Sequence, residues 1–533
     1  MSFADIATVT AFLAFVFFAY RRLLRYLHMF QQDDYNAGRF WSWLSNSMSF
    51  DKRVSGGLVL FAVLAHVSTE VALGATEAAL IAVLFVAVGL FEPDPRKAAK
   101  KKLALTNRAQ RIYGVALALT IAAGLAAAII GGSIAWLFAV QAIPLMLVIG
   151  NWLLTPLETR IQNGFRIAAE NRLKAVAPKT IGITGSFGKT SVKHILGHVL
   201  QMNTNALFTP GSVNTVMGIS RIINERLADN CRYFLVEMGA YGKGSISRLC
   251  KFTPPDHGII TSIGEAHYER FKDLETVAAA KFELAEAVGE HNGLTVIDET
   301  VLERQYATQF VEQNRAAFVI VGDSEQADIR IQSNKQTADG LKVVVSYDGH
   351  EHTLFAPLYG LHHGRNMALA FALAARLGIT PDRIVAALRS TPQIAHRLEV
   401  KPHHTGAIYI DDAFNANPEG ISNGLGLLQV LRRDGGRRII VTPGVAELGE
   451  RHDPVHKTLG EQAARDTDVT IAVRAERIPT FIEGFRSAQT DAKLISVEQF
   501  SQAQAWINEN LGPNDVILIA NDLPDLLERT FVT

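Results

Sequence analysis

Cysteine is scarce and net charge is absent in this sequence, and both absences narrow the classes of protein to which it can belong. Only two cysteines, Cys231 and Cys250, occur in 533 residues, too few for a disulfide framework or a cysteine-rich zinc site and in keeping with a reducing compartment. Basic and acidic residues both number 52, which argues against a general nucleic-acid-binding protein. With 48% hydrophobic and 20% charged residues, the chain is not disordered, and its length requires several domains.

Long apolar runs are confined to the first third of the chain. They occupy residues 5–20, 57–91 and 113–154 and contain very few charges. Because one membrane crossing needs about 20 apolar residues, the first run predicts one span and the two longer runs predict two spans each. Glycine or polar residues interrupt the longer runs between residues 68 and 76 and between residues 131 and 133. The sequence therefore predicts about five helical spans.

Lysine and arginine cluster in two of the segments that connect these spans. After the first span they are Arg21, Arg22, Arg25, Arg39, Lys52 and Arg53, and after the third they are Arg96, Lys97, Lys100, Lys101, Lys102, Arg108 and Arg111. Since basic connecting segments stay in the cytoplasm, we expect the N-terminus outside, residues from 155 onward in the cytoplasm, and a lipid bilayer as a partner. A cleaved signal peptide is the alternative for the first run, but Asp5 begins that run where a basic segment would be needed.

A glycine-rich segment, KTIGITGSFGKTS, opens the soluble part at residues 179–191. Residues 180–184 predict a short buried strand. Apolar residues repeat at helical spacing behind the loop, at Val192, Ile195, Leu196, Val199 and Leu200. A strand, a glycine-rich turn and a helix in this order are typical of a phosphate-binding loop.

The residue types in this loop suit a bound polyphosphate. The predicted nucleotide-binding residues here are Gly185, Ser186, Gly188, Lys189, Thr190 and Ser191. The glycines let backbone amides approach phosphate oxygens, Lys189 can reach the terminal phosphates, and the hydroxyl of Thr190 or Ser191 can bind Mg²⁺. The spacing departs from the strict nucleotide-loop pattern, because Ile183 stands five residues before Gly188. A glycine-rich turn without a nucleotide is therefore the alternative.

The form of this loop resembles that of the Mur ligases, which add amino acids or dipeptides to peptidoglycan precursors, and of their folylpolyglutamate and polyglutamate relatives. Further motifs follow in the family's order. They are FTPGSVNTVMGIS (208–220), FLVEMGAYGKGSI (234–246), ITSIGEAHYERF (260–271), AAAKFELAEA (278–287), GLHHGRNMALAFALAA (360–375) and HRLEV (396–400). IDDAFNANPEG (410–420) and GVAELGE (444–450) resemble most the branch that adds D-alanyl-D-alanine.

The resemblance implies a reaction, its cofactors and its partners. In this family ATP phosphorylates a carboxylic acid, an amine attacks the acyl phosphate, and ADP and phosphate leave, while Mg²⁺ and cationic side chains neutralise the aligned anions. The implied partners are a carboxylate acceptor and an amino-acid or dipeptide amine, in cell-envelope or peptidoglycan-type biosynthesis at the inner membrane of a bacterium. A partner in polymer synthesis or export at that membrane is left open.

The resemblance also implies roles for individual residues. Thr190 and Glu237 would hold the first Mg²⁺, and His267 would help to hold a second. Glu237 ends an apolar strand, and its alternative is a surface carboxylate at a strand end. Lys281 matches a family lysine that is often carbamylated and could then serve the second metal, whereas an ordinary lysine there would extend to solvent. Asn214 matches a residue near the γ-phosphate. The expected catalytic set is Lys189, Asn214, His267 and Lys281.

The other end of the nucleotide is expected to meet three residues from the second half of the chain. By resemblance, Asn366 would read the adenine or the ribose, and Arg397 and Asp412 would lie at the hinge between two domains. The alternative for Arg397 is a surface ion pair with Glu399 or another carboxylate, the usual fate of an arginine.

The expected fold is an α-helical membrane region followed by α/β domains. The expected segments are the membrane region at 1–154, a polar helical linker at 155–178, a Mur ligase central ATP-binding domain with the phosphate loop at 179–404, and a Rossmann-like C-terminal domain at 405–533. Residues 328–360 alternate polar and apolar around two Asp-Gly pairs, which predicts β-hairpins at the edge of the central domain. Five apolar segments separated by helical stretches predict the α/β pattern of the last domain.

Departures from the family's pattern leave the substrate open. A membrane region stands where the family has a soluble domain for the uridine-diphosphate sugar. Unusual residues occur at Thr215, His363, Ala413, Phe414 and Val445, and IANDLPD (519–525) replaces a Lys-Gly-Ser-Arg segment. The reaction is therefore either D-alanyl-D-alanine addition or the extension of a γ-linked peptide or another envelope acid. Two further classes, a nucleotide-binding membrane scaffold and a transporter, have less support, because the expected metal positions are all present and spans two to five contain few ionisable residues.

Overall fold

The computed structural model describes residues 3–46, 73–97, 102–131, 135–240, 242–264, 273–413, 417–445 and 448–521, together with residue 56. The chain divides into two compact units, which we call the helical unit, within residues 1–163, and the α/β unit, within residues 164–522. Each unit is described by itself.

The helical unit contains only helices among its described residues. They are α1 (Phe3–Gln32), α2 (Ala37–Asn46), α3 (Leu73–Phe91), α4 (Asn107–Gly131), α5 (Ala135–Gln141) and the first part of α6 (Ile143–Val176), in which the division between the units falls. The polar linker predicted to be helical is thus the second half of α6. The break predicted between residues 131 and 133 coincides with the end of α4.

Two of these helices are long and apolar enough to cross a membrane. They are Asp5–Gln32 and Asn107–Ile129, and α5 with α6 would provide a third if this pair, bent by 55°, forms one span. The apolar segment Ala78–Phe91 of α3 is shorter. Most of the break predicted at residues 68–76 lies outside the described residues. Among the described residues the structure therefore supports two or three spans, and the rest of the predicted five stay a prediction.

Aromatic side chains fill the core between α1 and α3. Phe15, Phe18 and Phe85 are fully buried, and the ring centroids of Phe18 and Phe85 lie 5.5 Å apart. Burying aromatic and aliphatic surface at such contacts is what holds apolar helices together. Phe15 also contacts Trp136, with ring centroids 6.2 Å apart. The predicted apolar runs thus pack against one another within this unit.

Three arginines expected in a connecting segment lie within a helix instead. Arg21, Arg22 and Arg25 belong to α1, because the helix continues beyond its apolar run to Gln32. Arg22 donates to the Glu92 carboxylate, and Arg25 Nη1 lies 3.6 Å from Glu92 Oε2. The side chains of Arg22 and Glu92 are 2% and 1% exposed. Burial of an arginine with a carboxylate partner avoids the cost of an unpaired buried charge.

The first sheet of the α/β unit has nine strands. They are β1 (Lys179–Thr184), β2 (Ala206–Phe208), β3 (Tyr233–Glu237), β4 (His257–Ile260), β5 (Leu294–Asp298), β6 (Phe318–Gly322), β7 (Ile329–Thr337), β8 (Gly340–Tyr347) and β9 (His350–Ala356), in the spatial order 2-3-1-4-5-6-7-8-9. Strands β2 to β6 and β1 are parallel, as is the β6–β7 pair. Strands β1 and β3 are buried almost throughout, as continuous apolar strands of parallel sheets are.

Helices cover this sheet on its faces. They are α7 (Lys189–Asn203), α8 (Val216–Arg226), α9 (Ser245–Phe252), α10 (Leu274–Gly289), α11 (Gln305–Gln313), α12 (His362–Arg376) and α13 (Pro381–Leu388), with short 3₁₀ helices at Glu299–Glu303 and Arg315–Ala317. All five apolar residues predicted on the inner face of α7 are fully buried. From β1 the chain reaches β2 and β3 on one side and then β4 on the other. The carboxyl end of β1 is therefore a switch point of the topology, where α/β sheets bind ligands.

The predicted hairpins form the edge of this sheet. Strands β7, β8 and β9 pair in antiparallel register, and the second turn contains Asp348 and Gly349 at φ values of +52° and +74°. Two adjacent positive φ values are typical of the turns that match the twist of a hairpin. The hairpin prediction is confirmed.

The second sheet of the α/β unit has six strands. They are β10 (Glu399–Pro402), β11 (Ile408–Asp412), β12 (Arg438–Thr442), β13 (Val469–Val473), β14 (Lys493–Val497) and β15 (Val516–Ala520), in the order 10-11-15-12-13-14. All described pairs are parallel except β10 with β11. The accompanying helices are α14 (Pro418–Leu431), α15 (His452–Asp466), α16 (Pro479–Ser487) and α17 (Phe500–Asn510), with 3₁₀ helices at Gly449–Arg451 and Ala475–Arg477. The predicted Rossmann-like α/β pattern is confirmed.

Candidate nucleotide and metal site

The glycine-rich loop between β1 and α7 requires glycine at two positions. Gly185 has φ +151° and Gly188 has φ +81°, values that other residues rarely adopt. A Cβ atom on Gly185 would overlap the Thr261 hydroxyl, and one on Gly188 would lie 2.7 Å from Asn366 Oδ1. The loop thus lies tightly between the end of β4 and the start of α12, with its backbone at the switch point of the sheet.

Ser186 has a bracing role in the structure. Its hydroxyl donates to the Gly264 carbonyl at 2.9 Å and accepts from the Gly264 amide at 2.8 Å. The Phe187 amide donates to Ser262 Oγ at 2.9 Å. These bonds attach the loop to the segment after β4 and hold it in shape. The Ser186 amide also donates to the Ser262 carbonyl at 2.8 Å, so Ser186 helps to shape the loop, and its contact with a phosphate stays a prediction.

Lys189 is the first residue of α7 and lies inside the loop. Its Nζ donates to the carbonyls of Gly185 at 2.7 Å and Ser186 at 3.1 Å. The pKa of Lys189 is lowered to about 8, chiefly by burial; Glu237 opposes this shift, and the charges of Arg397 and Lys193 add to it. A buried ammonium among other cations favours a bound anion, because the anion would relieve both the desolvation and the repulsion.

The structure distinguishes the two hydroxyls that the sequence left open for the metal. Thr190 Oγ1 donates to Glu237 Oε2 at 2.9 Å, whereas Ser191 is buried, with 2% exposure. Glu237 is the last residue of β3 and lies beside Ile183 of β1, so it is not a surface carboxylate. A threonine hydroxyl at the start of α7 and a carboxylate at the carboxyl end of β3 offer the oxygen ligands that Mg²⁺ prefers.

A second lysine of α7, Lys193, was missed by the sequence analysis. Its side chain is 1% exposed, and its Nζ lies 2.9 Å from Glu237 Oε2 and 2.5 Å from the Gly211 carbonyl. The signal was present in the helical spacing. Lys193 lies between Val192 and Leu196 on the face that the apolar pattern directs inward, and a lysine there requires a partner.

Lys281 of α10 is also drawn into the site. It is 4% exposed, so the alternative of a solvent-directed lysine is wrong. Burial lowers its pKa well below the ordinary value, and the charge of Lys189 lowers it further. Burial thus favours the neutral amine, the form that reacts with carbon dioxide, and carbamylation of Lys281 stays a prediction.

The segment between β2 and α8 explains one departure from the family's pattern. Thr215 stands where a second asparagine was expected, and its side chain caps α8 by accepting from the Gly218 amide at 3.3 Å. Threonine is a common residue at this capping position. Asn214 precedes this cap, half-buried.

His267 lies outside the described residues, and its assignment to a second metal stays a prediction.

Arg397 lies at the junction of the two sheets of this unit. Its charge interacts with Glu237 of the first sheet and with Asp412 of the second, while Glu399 pairs with Lys401 at 2.8 Å. Among the described salt bridges Arg397 does not pair with Glu399, and the role of Arg397 at the hinge stays a prediction. Asp412 ends β11 and accepts from the Leu398 amide at 3.2 Å, and burial raises its pKa to about 7.

Asn366 lies in the first turns of α12 and is buried against the phosphate loop. Its Nδ2 and His363 Nδ1 lie 3.3 Å apart. His363, which replaces an asparagine of the family, is 1% exposed, and burial holds its pKa well below the ordinary value. The structure brings Asn366 to Gly188, and its contact with the adenine or the ribose stays a prediction.

The described part of the site therefore combines a glycine-rich loop, cationic side chains and one buried carboxylate. Lys193 lies 2.9 Å from Glu237, the charges of Lys189 and Arg397 interact with Glu237, and the charge of Lys189 acts on Lys281. A polyphosphate with a divalent cation has the charges that this arrangement would neutralise.

Comparison with known proteins identifies the family. Residues 183–374 match the Mur ligase middle domain, and residues 396–521 match the Mur ligase glutamate ligase domain. Over these two domains the chain belongs to the Mur ligase family. Mur ligases are ATP-dependent ligases that use Mg²⁺ and join an acid to an amino acid through a C–N bond, so the predicted ligase class and its cofactors, ATP and Mg²⁺, are confirmed for the family.

The similar curated proteins come from the D-alanyl-D-alanine-adding branch, MurF. The UDP-N-acetylmuramoyl-tripeptide--D-alanyl-D-alanine ligase of Bacillus subtilis is 28% identical over 352 residues, which are 66% of this chain and 74% of that protein. The enzyme of the same name from Mycobacterium tuberculosis is 29% identical over 361 residues, 64% of this chain and 69% of that protein.

A solved structure supports the fold. The MurF ligase of Thermotoga maritima in complex with ADP superposes with a TM-score of 0.58 at 22% identity, covering 69% of this chain and 82% of that one. MurF from Acinetobacter baumannii gives a TM-score of 0.57, also at 22% identity, covering 68% of this chain and 77% of that one. The Mur ligase α/β fold predicted from the motifs is thus confirmed.

Proposed function

We propose that this protein is a membrane-anchored, ATP-dependent amide ligase of the MurF type, which activates a carboxylate as an acyl phosphate for attack by an amino-acid or dipeptide amine. The observation that carries the proposal is the convergence of Lys189, Thr190, Glu237 and Lys281 at one edge of the first sheet. The reaction aligns triphosphate, carboxylate and a developing phosphate, and such alignment needs a cationic, pre-organised site.

In this proposal each residue acts on a defined group. Lys189 and the loop formed by Gly185, Ser186 and Gly188 bind the terminal phosphates. Thr190 and Glu237 hold the first Mg²⁺, while His267 and a carbamylated Lys281 hold a second. Asn214 lies near the γ-phosphate, Ser191 supports the helix start, Asn366 reads the adenine or the ribose, and Arg397 with Asp412 links the two domains. The support for these roles is the burial of the lysines and the hydrogen bond between Thr190 and Glu237.

The N-terminal region is proposed to anchor the ligase in the inner membrane of a bacterium. Five spans at residues 1–154 would leave the N-terminus outside and place the linker at 155–178 and the domains at 179–404 and 405–533 in the cytoplasm. The two long apolar helices support the anchor. ATP is available on that side of the membrane, where the ligase needs it.

Two acid substrates are consistent with the proposal. The similarity to MurF supports D-alanyl-D-alanine addition to a UDP-linked muramoyl peptide. The second candidate is a ligase for a γ-linked peptide or another envelope acid. The observation that favours it is the apolar helical region that precedes both family matches, the first of which begins at residue 183. A soluble nucleotide-sugar substrate gives no physical reason for membrane helices.

The decisive experiment uses the full chain purified in detergent. The protein is incubated with Mg-ATP, panels of amino acids and dipeptides, and envelope precursors that include UDP-linked muramoyl tripeptide, and both ADP release and product mass are measured. A new amide with the muramoyl tripeptide supports the first candidate, and a new amide only with another acid supports the second. Nucleotide binding without ADP release or any new amide would defeat the ligase proposal and leave a membrane scaffold.

A further inference from the structure

Lys193 of α7, the helix that follows the phosphate loop, makes a buried charged contact with two partners. Its side chain is 1% exposed, and its Nζ donates both to Glu237 Oε2 at 2.9 Å and to the Gly211 carbonyl at 2.5 Å. A lysine that is buried so completely would lose its hydration without gain unless these partners were fixed. The contact is therefore a permanent part of the site's frame.

The contact leaves one oxygen of Glu237 available. Thr190 Oγ1 and Lys193 Nζ both donate to Oε2, and within the part of the chain that the structure describes, no side chain donates to Oε1. A carboxylate whose one oxygen is held by two donors has a fixed plane. Its other oxygen can then be presented to a metal in one direction.

Lys193 also keeps Glu237 from a cation that a nucleotide needs. Lys189 interacts electrostatically with Glu237, yet its Nζ donates to the loop carbonyls of Gly185 and Ser186 instead. Without Lys193, the buried Glu237 carboxylate would lose its nearest described cation and would be drawn to Lys189. That pairing would occupy a cation that the phosphates require.

The second bond of Lys193 reaches the segment that carries Asn214. Gly211 lies in the connection between β2 and α8 at φ +48°, and Thr209 at its start accepts from the Glu237 amide at 3.5 Å. Lys193 therefore joins Glu237 to this segment from a third element, α7. Three pieces of the site are held by one ammonium group.

We propose that Lys193 is a positioning residue for the metal and nucleotide: it fixes the Glu237 carboxylate toward Mg²⁺, keeps Glu237 from drawing Lys189 out of the phosphate loop, and anchors the segment with Asn214. This inference rests on the proposed role of Glu237 as a metal ligand. Lys193 itself does not touch the reacting atoms, so its loss acts through Glu237.

The test compares Lys193→Met, which keeps the length of the side chain and removes its charge, with the wild type. Full-length proteins in detergent are titrated with ADP in the presence and absence of Mg²⁺, and the Mg²⁺ concentration for half-maximal ADP release is measured at saturating ATP. We expect about a tenfold rise in that Mg²⁺ concentration, the usual cost of losing a partner of a metal ligand, and weaker ADP binding even without Mg²⁺. Lys342→Met, at an exposed lysine of β8, is the matched control.

A double-mutant cycle with Glu237→Gln separates positioning from simple stabilisation. If Lys193 acts through Glu237, Lys193→Met adds little to the Mg²⁺ defect of Glu237→Gln, whereas independent effects would multiply. Thermal unfolding of each variant identifies one that fails to fold, and Lys193→Gln, which can still donate to Glu237, should then recover part of the Mg²⁺ response.

The outcomes separate this inference from the proposed function. Mg-ADP binding by Lys193→Met that equals or exceeds the wild-type affinity, with a lower melting temperature only, would overturn the role of Lys193. Wild-type Mg²⁺ dependence in Glu237→Gln would overturn the proposed metal site itself, whatever Lys193→Met does.

Discussion

The helical unit and the α/β unit both bury charged side chains, but they partner them differently. In the helical unit, Arg22 and Arg25 face the Glu92 carboxylate directly. In the α/β unit, Lys189 lies near Glu237 but bonds to loop carbonyls, and Lys281 adjoins Lys189. A buried cation that meets a carboxylate stabilises packing, whereas cations held together beside a phosphate loop favour an anionic ligand.

The largest effect should come from removing Lys189 from the group of cations beside the phosphate loop. Lys189→Ala removes the cation that the phosphate loop surrounds, so we expect ADP release and amide formation to fall by about a hundredfold or more. Steady-state kinetics of the full chain with the acid and amine found active in the substrate screen provide the measurement. Retained activity would show that the cluster does not serve a nucleotide, and the contrast between the two units would disappear.

The next largest effect should appear when the buried ion pair of the helical unit is broken at Glu92. Glu92→Ala leaves Arg22 buried without this carboxylate, which typically costs about 3 kcal/mol in the free energy of unfolding. Limited proteolysis of α1 and α3 in detergent should show the loss, while ADP affinity stays at the wild-type value. The double variant Arg22→Met with Glu92→Leu should recover stability, because an apolar pair of similar volume replaces the ions. A parallel loss of ADP affinity in Glu92→Ala would contradict the separation of roles.

A smaller effect should distinguish the two units by pH. Burial lowers the pKa of Lys189 to about 8, so the free protein loses this proton as pH rises through that value, and ADP affinity should decline between pH 7 and 9. Arginine does not deprotonate in this range, so the resistance of α1 to proteolysis should stay constant. Calorimetric titration at a series of pH values, with Lys189→Arg as a variant whose profile should lack the decline centred near pH 8, provides the check.

The smallest effect is expected at Ser191, beside the proposed metal ligand Thr190. Ser191→Ala removes a buried hydroxyl that has no described hydrogen bond to Glu237, and we expect less than about a twofold change in the Mg²⁺ requirement. Thr190→Val removes the hydroxyl that bonds to Glu237 and should raise the requirement about tenfold. Mg²⁺ titrations of ADP release compare the two variants. Equal defects would mean that the structure does not distinguish these hydroxyls.

Local patterns predicted much of the fold and part of the site. The phosphate loop, the inner face of α7 and the hairpins around Asp348-Gly349 follow from spacing within a few residues, because glycine conformations and apolar periodicity act locally. The number of spans was not fixed in this way. Hydropathy measures length and apolarity, and α3 and the bent pair α5 and α6 are too short or too broken to decide the number.

Other features depend on contacts between distant segments. The structure places Arg21, Arg22 and Arg25 within α1, where a charge count had placed them in a connection, because Glu92 provides a buried partner for Arg22 and Arg25. No pattern along the chain shows which carboxylate a cation will meet, since that choice depends on burial and distance after folding.

By itself, the sequence determined the kind of chemistry: a phosphate loop, a strand-end carboxylate and a lysine-bearing helix in the order of a Mur ligase, after a strongly apolar first third. Only the tertiary structure decided that Thr190 rather than Ser191 faces Glu237, that Lys281 is buried beside Lys189, and that Lys193 belongs to the site. The physical reason is that residue types and spacings act along the chain, whereas electrostatic partnership and loss of hydration act across space.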